Sequence, residues 1–508
     1  MPRPNQVIPG HETSARDPAR ADWMRALADQ FATVRQRHPD DELMLVFDID
    51  GTILDMRHMI RHVLVDYDRV HQTRHFVGLR IEDITVHENH VDRFLAELPM
   101  PEAERREILD WYRRHCWSSQ AVVAAHRPYR GVMEVIRWFM LQPRTHVGIV
   151  TGRPQSIRED TLRSLNALGR QYRIHFSDHL LEMNRKGWEQ GVTEHKAAAL
   201  RRFIERGFRI FAAVDNEPEN IAAMLEADEE GEVLFLHADT IFVSRARAIP
   251  RTVSGKQYNL INLIPEHDIQ QRVSLVWHGI NDRGNLRQFL GSPVQWGECD
   301  VRCDPLQRLV LRHDSFEQTP WRRGENCPEL DWLLAEIDRA GKSIKLDLKE
   351  GGGMIGWVLD CLARTELDDG RLWFNGDIET LREAGFRRLA AARPRAVIQC
   401  PVDFLAPMIA ALPAEAERTL ARLQDWGIGR FSIGWRTPDR HLLFEHMDQW
   451  GYEVNLYDVP DLESFLRAAL MLPRSLTADF NFPAWQYYGR GSGQEHAYHD
   501  YRLYLEIA

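Results

Sequence analysis

The chain has 508 residues, and single hydrophobic cores stop growing at roughly 250–300 residues, so a one-domain protein is excluded. Hydrophobic residues make up 44% and charged residues 27%, which excludes a disordered chain. The formal net charge of -11, with pI near 6.1, opposes long-range attraction to polyanions, so nucleic acid is not an expected partner.

No apolar run approaches the length of a membrane span, and Met1 to Asp22 is polar without an apolar signal core, so a cytoplasmic location is expected. Cys116, Cys299, Cys303, Cys327, Cys361 and Cys400 form no Cys-x-x-Cys pair and read as reduced thiols.

Residues 1–40 read as an N-terminal tail followed by a helix near Asp22–Arg37. Met44-Leu-Val-Phe-Asp48 is then a short apolar run ending in acid, as a buried parallel strand does before an active-site loop. His146-Val-Gly-Ile-Val150 stops at Thr151-Gly-Arg-Pro154, and Arg209-Ile-Phe-Ala-Ala-Val214 stops at Asp215-Asn-Glu-Pro218. Helical stretches at Ser156–Leu168 and Glu194–Arg206 alternate with these strands. The fold class over 41–245 is therefore α/β with a doubly wound parallel sheet. Nearly a hundred residues separate the first two strands, and 56–130, with its helix Pro101–Trp117, reads as a mostly helical cap.

The stretch 246–272 reads as a linker to a domain over 273–508. Eight strands are expected there: Ser274–Trp277, Val294–Val301, Ser343–Leu348, Leu372–Asn375, Ala396–Gln399, Arg430–Ile433, Glu453–Leu456 and Ser475–Ala478. Most are separated by helical segments, which implies a (β/α)₈ TIM-type barrel with its active residues at strand carboxyl ends. A short extra strand, Leu309–Arg312, hangs off the second.

Asp48-Ile-Asp50-Gly51-Thr52 directly follows an apolar strand. Two residues apart at a strand end, both carboxylates reach one phosphate, and Gly51 lets the backbone turn beside it. Here the chain resembles the haloacid dehalogenase superfamily over about 42–245. The resemblance implies a Rossmann-like phosphatase with Asp48 as nucleophile and Asp50 as acid and base. It implies Thr151 as the hydroxyl on the phosphoryl oxygens, Lys196 as the neutralising cation, and Mg²⁺ held by Asp48, the Asp50 carbonyl and Asp215. Whether Asn216 or Glu219 assists the metal stays open. His58, His62, His87 and His90 read as ordinary surface or packing histidines.

In the second half, Trp277-His278-Gly279-Ile280-Asn281, Glu298-Cys299-Asp300, His313-Asp314 and Lys345-Leu-Asp347-Leu-Lys349 fall at expected strand ends. Alternate residues of a strand share one face, so Glu298 and Asp300 reach the barrel mouth together, and carboxylate oxygens suit a hard cation. This order resembles the phospholipase-C-like phosphodiesterase barrels, including glycerophosphodiester phosphodiesterases and, most closely, the menorin family. The resemblance implies one Mg²⁺ or Ca²⁺ on Glu298, Asp300 and Asp347, with His278 and His313 as the proton-transfer pair and Lys349 offsetting phosphate charge. Asn375, Asp377 and Gln399 line the same mouth. His278-Gly-Ile-Asn281 departs from the glycerophosphodiesterase pattern His-Arg-Gly and sits nearer to menorins, as does Trp435.

Together these features lead to a bifunctional, metal-dependent hydrolase of small phosphoesters. Its N-terminal half is expected to cleave monoesters, and its barrel to cleave or cyclise diesters. The alternatives are a polynucleotide-end phosphatase and a single phosphatase whose barrel is a binding or scaffold module.

Overall fold

A computed structural model of the protein describes residues 22–187, 190–240, 251–321, 325, 327–478, 480–481, 486–488 and 498–500. The expected tail before residue 22, positions 246–250 of the expected linker and most of the chain after 478 lie outside the described residues. The chain divides into two compact units. One is built on residues up to Val132, Phe139–Ser164 and Ser177–Leu263, the other on Met133–Trp138, Leu165–Phe176 and Ile264 onward.

The first unit carries a six-stranded parallel sheet. Its strands are β1 (Glu42–Phe47), β2 (Thr145–Pro154), β3 (Leu181–Asn184), β4 (Phe208–Asp215), β5 (Leu234–Ala238) and β6 (Thr252–Gly255), in the order β3-β2-β1-β4-β5-β6. Every residue of β1 after Glu42 is buried, as the continuous apolar run requires of a strand covered on both faces. Met44, Val46, Val150, Ala213 and Phe235 from the strands pack with Leu200 and Phe203 from the helix Val192–Glu205. The strand order reverses between β1 and β4, which leaves a crevice at their carboxyl ends, the usual ligand position in such sheets.

The helix Trp23–Arg37 is capped by Asp22, whose carboxylate accepts from the Met24 and Arg25 N–H groups. Between β1 and β2 run the helices Arg57–His71, Val91–Ala96, Glu102–His115 and Ser119–Ala124, so the long insertion is helical. Strands β3, β5 and β6 were not expected from the sequence. Within the stretch read as linker lie β6, the helix Leu260–Leu263 and the helix Glu266–Arg272. No residue of β6 is fully buried, so it lacks the apolar run that betrays a buried strand.

The second unit is a closed eight-stranded parallel barrel. Its strands are β7 (Ser274–Trp277), β8 (Trp296–Cys303), β10 (Ser343–Leu348), β11 (Leu372–Asn375), β12 (Val397–Pro401), β13 (Arg430–Gly434), β14 (Glu453–Val459) and β15 (Ser475–Ala478), and the β8–β10 pairing closes the ring. The short β9 (Leu309–Leu311) pairs antiparallel with β8. In the β8–β10 register Lys345 faces Glu298 and Asp347 faces Asp300, so two acid-bearing strands place their polar residues at matching heights. All six cysteines are free thiols, and among the described residues no helix is long and apolar enough to cross a membrane.

Candidate functional site

In the first unit the sequence-predicted residues meet at the crevice. Asp48 follows β1, is 5% exposed, and lies with Oδ1 2.8 Å from Lys196 Nζ. Lys196, 2% exposed on the helix Val192–Glu205, also reaches Asp215 Oδ2 at 2.5 Å. Burial pushes the Asp48 carboxyl up to about 8 despite the Lys196 ammonium, and the Asp215 and Asp50 charges push the same way. The Thr52 hydroxyl donates to Asp48 Oδ2 at 3.3 Å. Gly51 has φ +78°, and a Cβ there would stand 2.3 Å from Asn216 Nδ2, so only glycine fits both the turn and this close approach.

Asp50 is held in a way the sequence did not reveal. Arg153 Nε donates to Asp50 Oδ2 at 2.8 Å and its Nη2 to Oδ1 at 2.6 Å, a two-pronged pair. The guanidinium is fully buried. Its Nη1 donates to Thr161 Oγ1 at 3.3 Å, its Nη2 meets His126 Nε2 at 3.1 Å, and it lies 5.0 Å from the Trp117 ring centroid. Burial, with the Arg153 and Arg127 charges, pushes His126 down to about 2, so its imidazole is neutral. The only available signal was the place of Arg153 inside Thr151-Gly-Arg-Pro154, two residues after Thr151. Thr151 is fully buried, and its hydroxyl accepts from the Arg153 backbone N–H at 3.1 Å.

Asp215 Oδ1 accepts from the Glu217 N–H at 2.9 Å and from Asn220 Nδ2 at 3.2 Å. Of the two residues left open for metal assistance, Asn216 lines the pocket while Glu219 is exposed on the helix Pro218–Ala227. Asn220, one helical position further, takes the buried place. The pocket over Asp48 and Asp50 has a volume of about 80 Å³. The insertion contributes His87, Glu88, Asn89 and Trp117 to its lining, and Glu217 comes from the loop after β4. His87, read from the sequence as a packing histidine, therefore belongs to the pocket. His87 Nδ1 is 3.3 Å from Glu88 Oε2, and its Nε2 is 3.4 Å from Glu217 Oε1.

In the barrel, ligand oxygens of Glu298, Asp300 and Asp347 lie within 4.8 Å of one another. A neutral donor fixes one oxygen of each carboxylate. The Gly279 N–H donates to Glu298 Oε2 at 2.9 Å, Asn281 Nδ2 to Asp300 Oδ2 at 2.6 Å, and Asn375 Nδ2 to Asp347 Oδ1 at 2.8 Å. Gln399 Nε2 in turn donates to Asn375 Oδ1 at 2.7 Å. Asp377 is exposed.

Lys349 Nζ sits 2.9 Å from Asp300 Oδ1 and 2.5 Å from Asp347 Oδ2. The first contact is an ion pair without hydrogen-bond alignment, so Asp300 Oδ1 is buried with no hydrogen bond. His278 Nε2 is 3.8 Å from Glu298 Oε2. His313 is half exposed, with Nδ1 2.9 Å from Asp314 Oδ1. Burial alone would raise the Asp300 carboxyl, but Lys349, His278 and His313 outweigh it and hold it low. Burial raises Glu298, and only part of that is offset by His278 and Lys345. Lys345, unassigned from the sequence, is a buried cation that donates to Thr477 Oγ1 at 3.2 Å.

No protein-family profile matches the chain, and no curated protein is similar to it in sequence. Among solved structures it is similar to a glycerophosphodiester phosphodiesterase from Parabacteroides distasonis at 14% identity, covering 41% of this chain and 92% of that one, with TM-score 0.32. A phosphodiesterase from Oleispira antarctica, solved with its product sn-glycerol-3-phosphate, matches at 16% identity, 41% and 94% coverage and TM-score 0.31. A candidate phosphatase from Clostridium difficile matches at 12% identity, 44% and 100% coverage and TM-score 0.31. At these scores the likeness assigns no residue a role.

Proposed function

We propose that the protein is a hydrolase of phosphoric esters with two sites, a haloacid-dehalogenase-type monoesterase in the first unit and a metal-assisted phosphodiesterase in the barrel. One observation carries the reading. Each unit gathers carboxylates on or just after parallel strands around a lysine, Lys196 between the buried Asp48 and Asp215, and Lys349 between the buried Asp300 and the partly buried Asp347. Such groups bind and polarise a phosphoryl group.

At the first site Asp48 Oδ attacks phosphorus, the bond to the leaving oxygen breaks, and an aspartyl-phosphate results. Asp50, held by Arg153, is the group within reach to protonate that oxygen and then to take a proton from water. Lys196 and the Thr151 hydroxyl are assigned to the phosphoryl oxygens. Asp48, Asp215 and the Asp50 carbonyl suit Mg²⁺, because two buried carboxylates here share one ammonium. When bound, the ion would supply positive charge to the phosphoryl oxygens.

In the barrel the donor set fits a hard divalent cation, Mg²⁺ or Ca²⁺. Glu298, Asp300 and Asp347 are each anchored through one oxygen, as ligands oriented by outer partners are. The ion would act there as a Lewis acid on a phosphodiester oxygen. His278, beside Glu298, and His313, beside Asp314, are assigned to proton transfer, and Lys349 to charge on the phosphate.

The full-length protein with Mg²⁺, Mn²⁺ or Ca²⁺ is expected to hydrolyse p-nitrophenyl phosphate and bis-p-nitrophenyl phosphate. Asp48→Asn should remove only the first activity and Glu298→Gln only the second. Loss of both activities in either single variant, with the fold intact by circular dichroism, would overturn the two-site reading. A barrel that binds metal but turns over no diester would favour the binding-module alternative.

A further inference from the structure

We infer that His126 is a positioning residue of the monoesterase site: its imidazole accepts from Arg153, is itself braced by Ser164, and so fixes the guanidinium that orients Asp50. This role rests on the reading of Asp50 as the acid that protonates the leaving oxygen. It adds to that site residues that act only through Arg153.

Hydrogen-bond chemistry leaves one arrangement. A guanidinium has donors only, so at the 3.1 Å contact between Arg153 Nη2 and His126 Nε2 the ring nitrogen accepts. A neutral imidazole whose Nε2 accepts carries its proton on Nδ1. Nδ1 therefore donates to Ser164 Oγ, 2.6 Å away. Turning the ring over would set carbon against both Arg153 and Ser164, so the two partners fix its orientation as well as its tautomer. Burial beside Arg153 and Arg127 disfavours a second proton on the ring, in agreement with its role as acceptor.

The rest of the guanidinium is met in the same way, by groups without charge. Thr161 Oγ1 accepts from Nη1 at 3.3 Å, and the Trp117 ring centroid lies 5.0 Å from the guanidinium carbon. Thr161 and Ser164 stand three positions apart on the helix Arg158–Gly169, so they share a face. Both are buried, as is His126. Among the described residues Asp50 is the only carboxylate paired with Arg153. A second carboxylate in the place of His126 would divide the charge of Arg153 between two anions. A neutral acceptor satisfies the buried Nη2 without drawing the guanidinium from Asp50. Removing that acceptor leaves a buried donor unpaired, and the guanidinium is then expected to leave the plane in which it serves both oxygens of Asp50.

The test compares kcat/KM for 2-hydroxyethyl phosphate, a poor leaving group, with that for p-nitrophenyl phosphate, a good one, on the full-length protein with Mg²⁺. This constant covers the steps up to the aspartyl-phosphate, in which the poor leaving group depends far more heavily on a proton from Asp50. Asp50→Asn sets the scale by lowering the ratio of the two constants. His126→Leu, an apolar side chain without an acceptor, should lower the ratio by about tenfold, a part of the roughly 100-fold or more that a positioned acid contributes. His126→Gln, whose side-chain oxygen can take the place of Nε2, should restore most of it. Ser164→Ala should shift the ratio in the same direction by less, and it carries the test if His126→Leu does not fold. Equal falls on both esters in His126→Leu and Ser164→Ala, or no fall in either, with wild-type circular dichroism and a lowered ratio in Asp50→Asn, would overturn this inference and leave Asp50 as the acid. A His126→Gln ratio no better than that of His126→Leu would overturn the acceptor role. Equal loss on both esters in Asp50→Asn would remove the acid reading of Asp50 and this inference with it.

Discussion

The sheet site and the barrel site solve one electrostatic problem with different parts. In the sheet, Lys196 comes from a helix, 19 residues from the Asp215 it holds, and closes a buried triangle with Asp48. In the barrel, Lys349 sits two residues beyond Asp347 at the end of the same strand and is partly exposed. The sheet site adds a second buried pair, Arg153 with Asp50. The barrel site adds a third carboxylate, Glu298, whose charge His278 and Lys345 offset in part. The sheet thus sets three carboxylates, Asp48, Asp50 and Asp215, against two buried cations, Lys196 and Arg153. The barrel sets Glu298, Asp300 and Asp347 against the partly exposed Lys349 and the buried Lys345. Both sites therefore keep an excess of negative charge, which favours metal affinity, and they differ in how deeply the lysine between two carboxylates is buried, Lys196 almost fully and Lys349 only in part.

The most drastic way to break this contrast is Asp48→Asn. It should bring monoester turnover below detection while diester turnover is unchanged, measured on p-nitrophenyl phosphate and bis-p-nitrophenyl phosphate. Equal loss of both activities would mean that the two sites are not independent.

Next in size is the barrel's metal. In the full-length Asp48→Asn background, Glu298→Gln with Asp300→Asn should abolish the divalent-ion binding seen by calorimetry and the diester activity together. Retained binding of undiminished affinity would place the ion elsewhere.

Arg153→Met probes the second buried pair. Without its partner Asp50 loses the orientation that both oxygens now have, so turnover of a poor leaving group such as 2-hydroxyethyl phosphate should fall about 100-fold, with a smaller fall for p-nitrophenyl phosphate. An equal fall on both would assign Arg153 a purely structural role.

The smallest effect is a pH dependence. His126 is 2% exposed and its folded pKa is about 2, far below the ordinary 6.5. The unfolded chain therefore binds a proton below pH 6.5 that the folded chain refuses. Stability contributed by the neutral ring is complete above pH 6.5 and is lost as pH falls toward 2, by up to about 1.4 kcal/mol per pH unit. His126→Gln should flatten this part of the slope in urea melts between pH 6.5 and 4. An unaltered slope in His126→Gln would mean that the ring is already protonated beside Arg153.

Much of this was legible in the chain because the signals were local. Ser274–Trp277 and Leu372–Asn375 coincide with β7 and β11 as near-continuous apolar runs, and the alternating Ser343–Leu348 and Ser475–Ala478 coincide with β10 and β15. The expected strand Val294–Val301 begins two residues before β8, because Val294 is buried ahead of the ladder. Strand β6 and the four-residue β3 escaped notice, being edge strands too short or too exposed to need an apolar run.

The site residues divide along the same line. Asp48, Asp50 and Gly51 follow β1, and Glu298, Asp300 and Asp347 alternate within β8 and β10; alternation and turn chemistry act over two or three positions, and the sequence by itself determined these residues as candidates. The partners that set their charge were decided by the tertiary structure. Arg153 pairs with Asp50 across 103 positions, Asn281 reaches Asp300 across 19, and Asn375 reaches Asp347 across 28. His87 enters the pocket only because the insertion folds back over β1. No periodicity encodes such pairings, because a side chain's partner depends on which strands the sheet sets side by side and on which loops return to their ends.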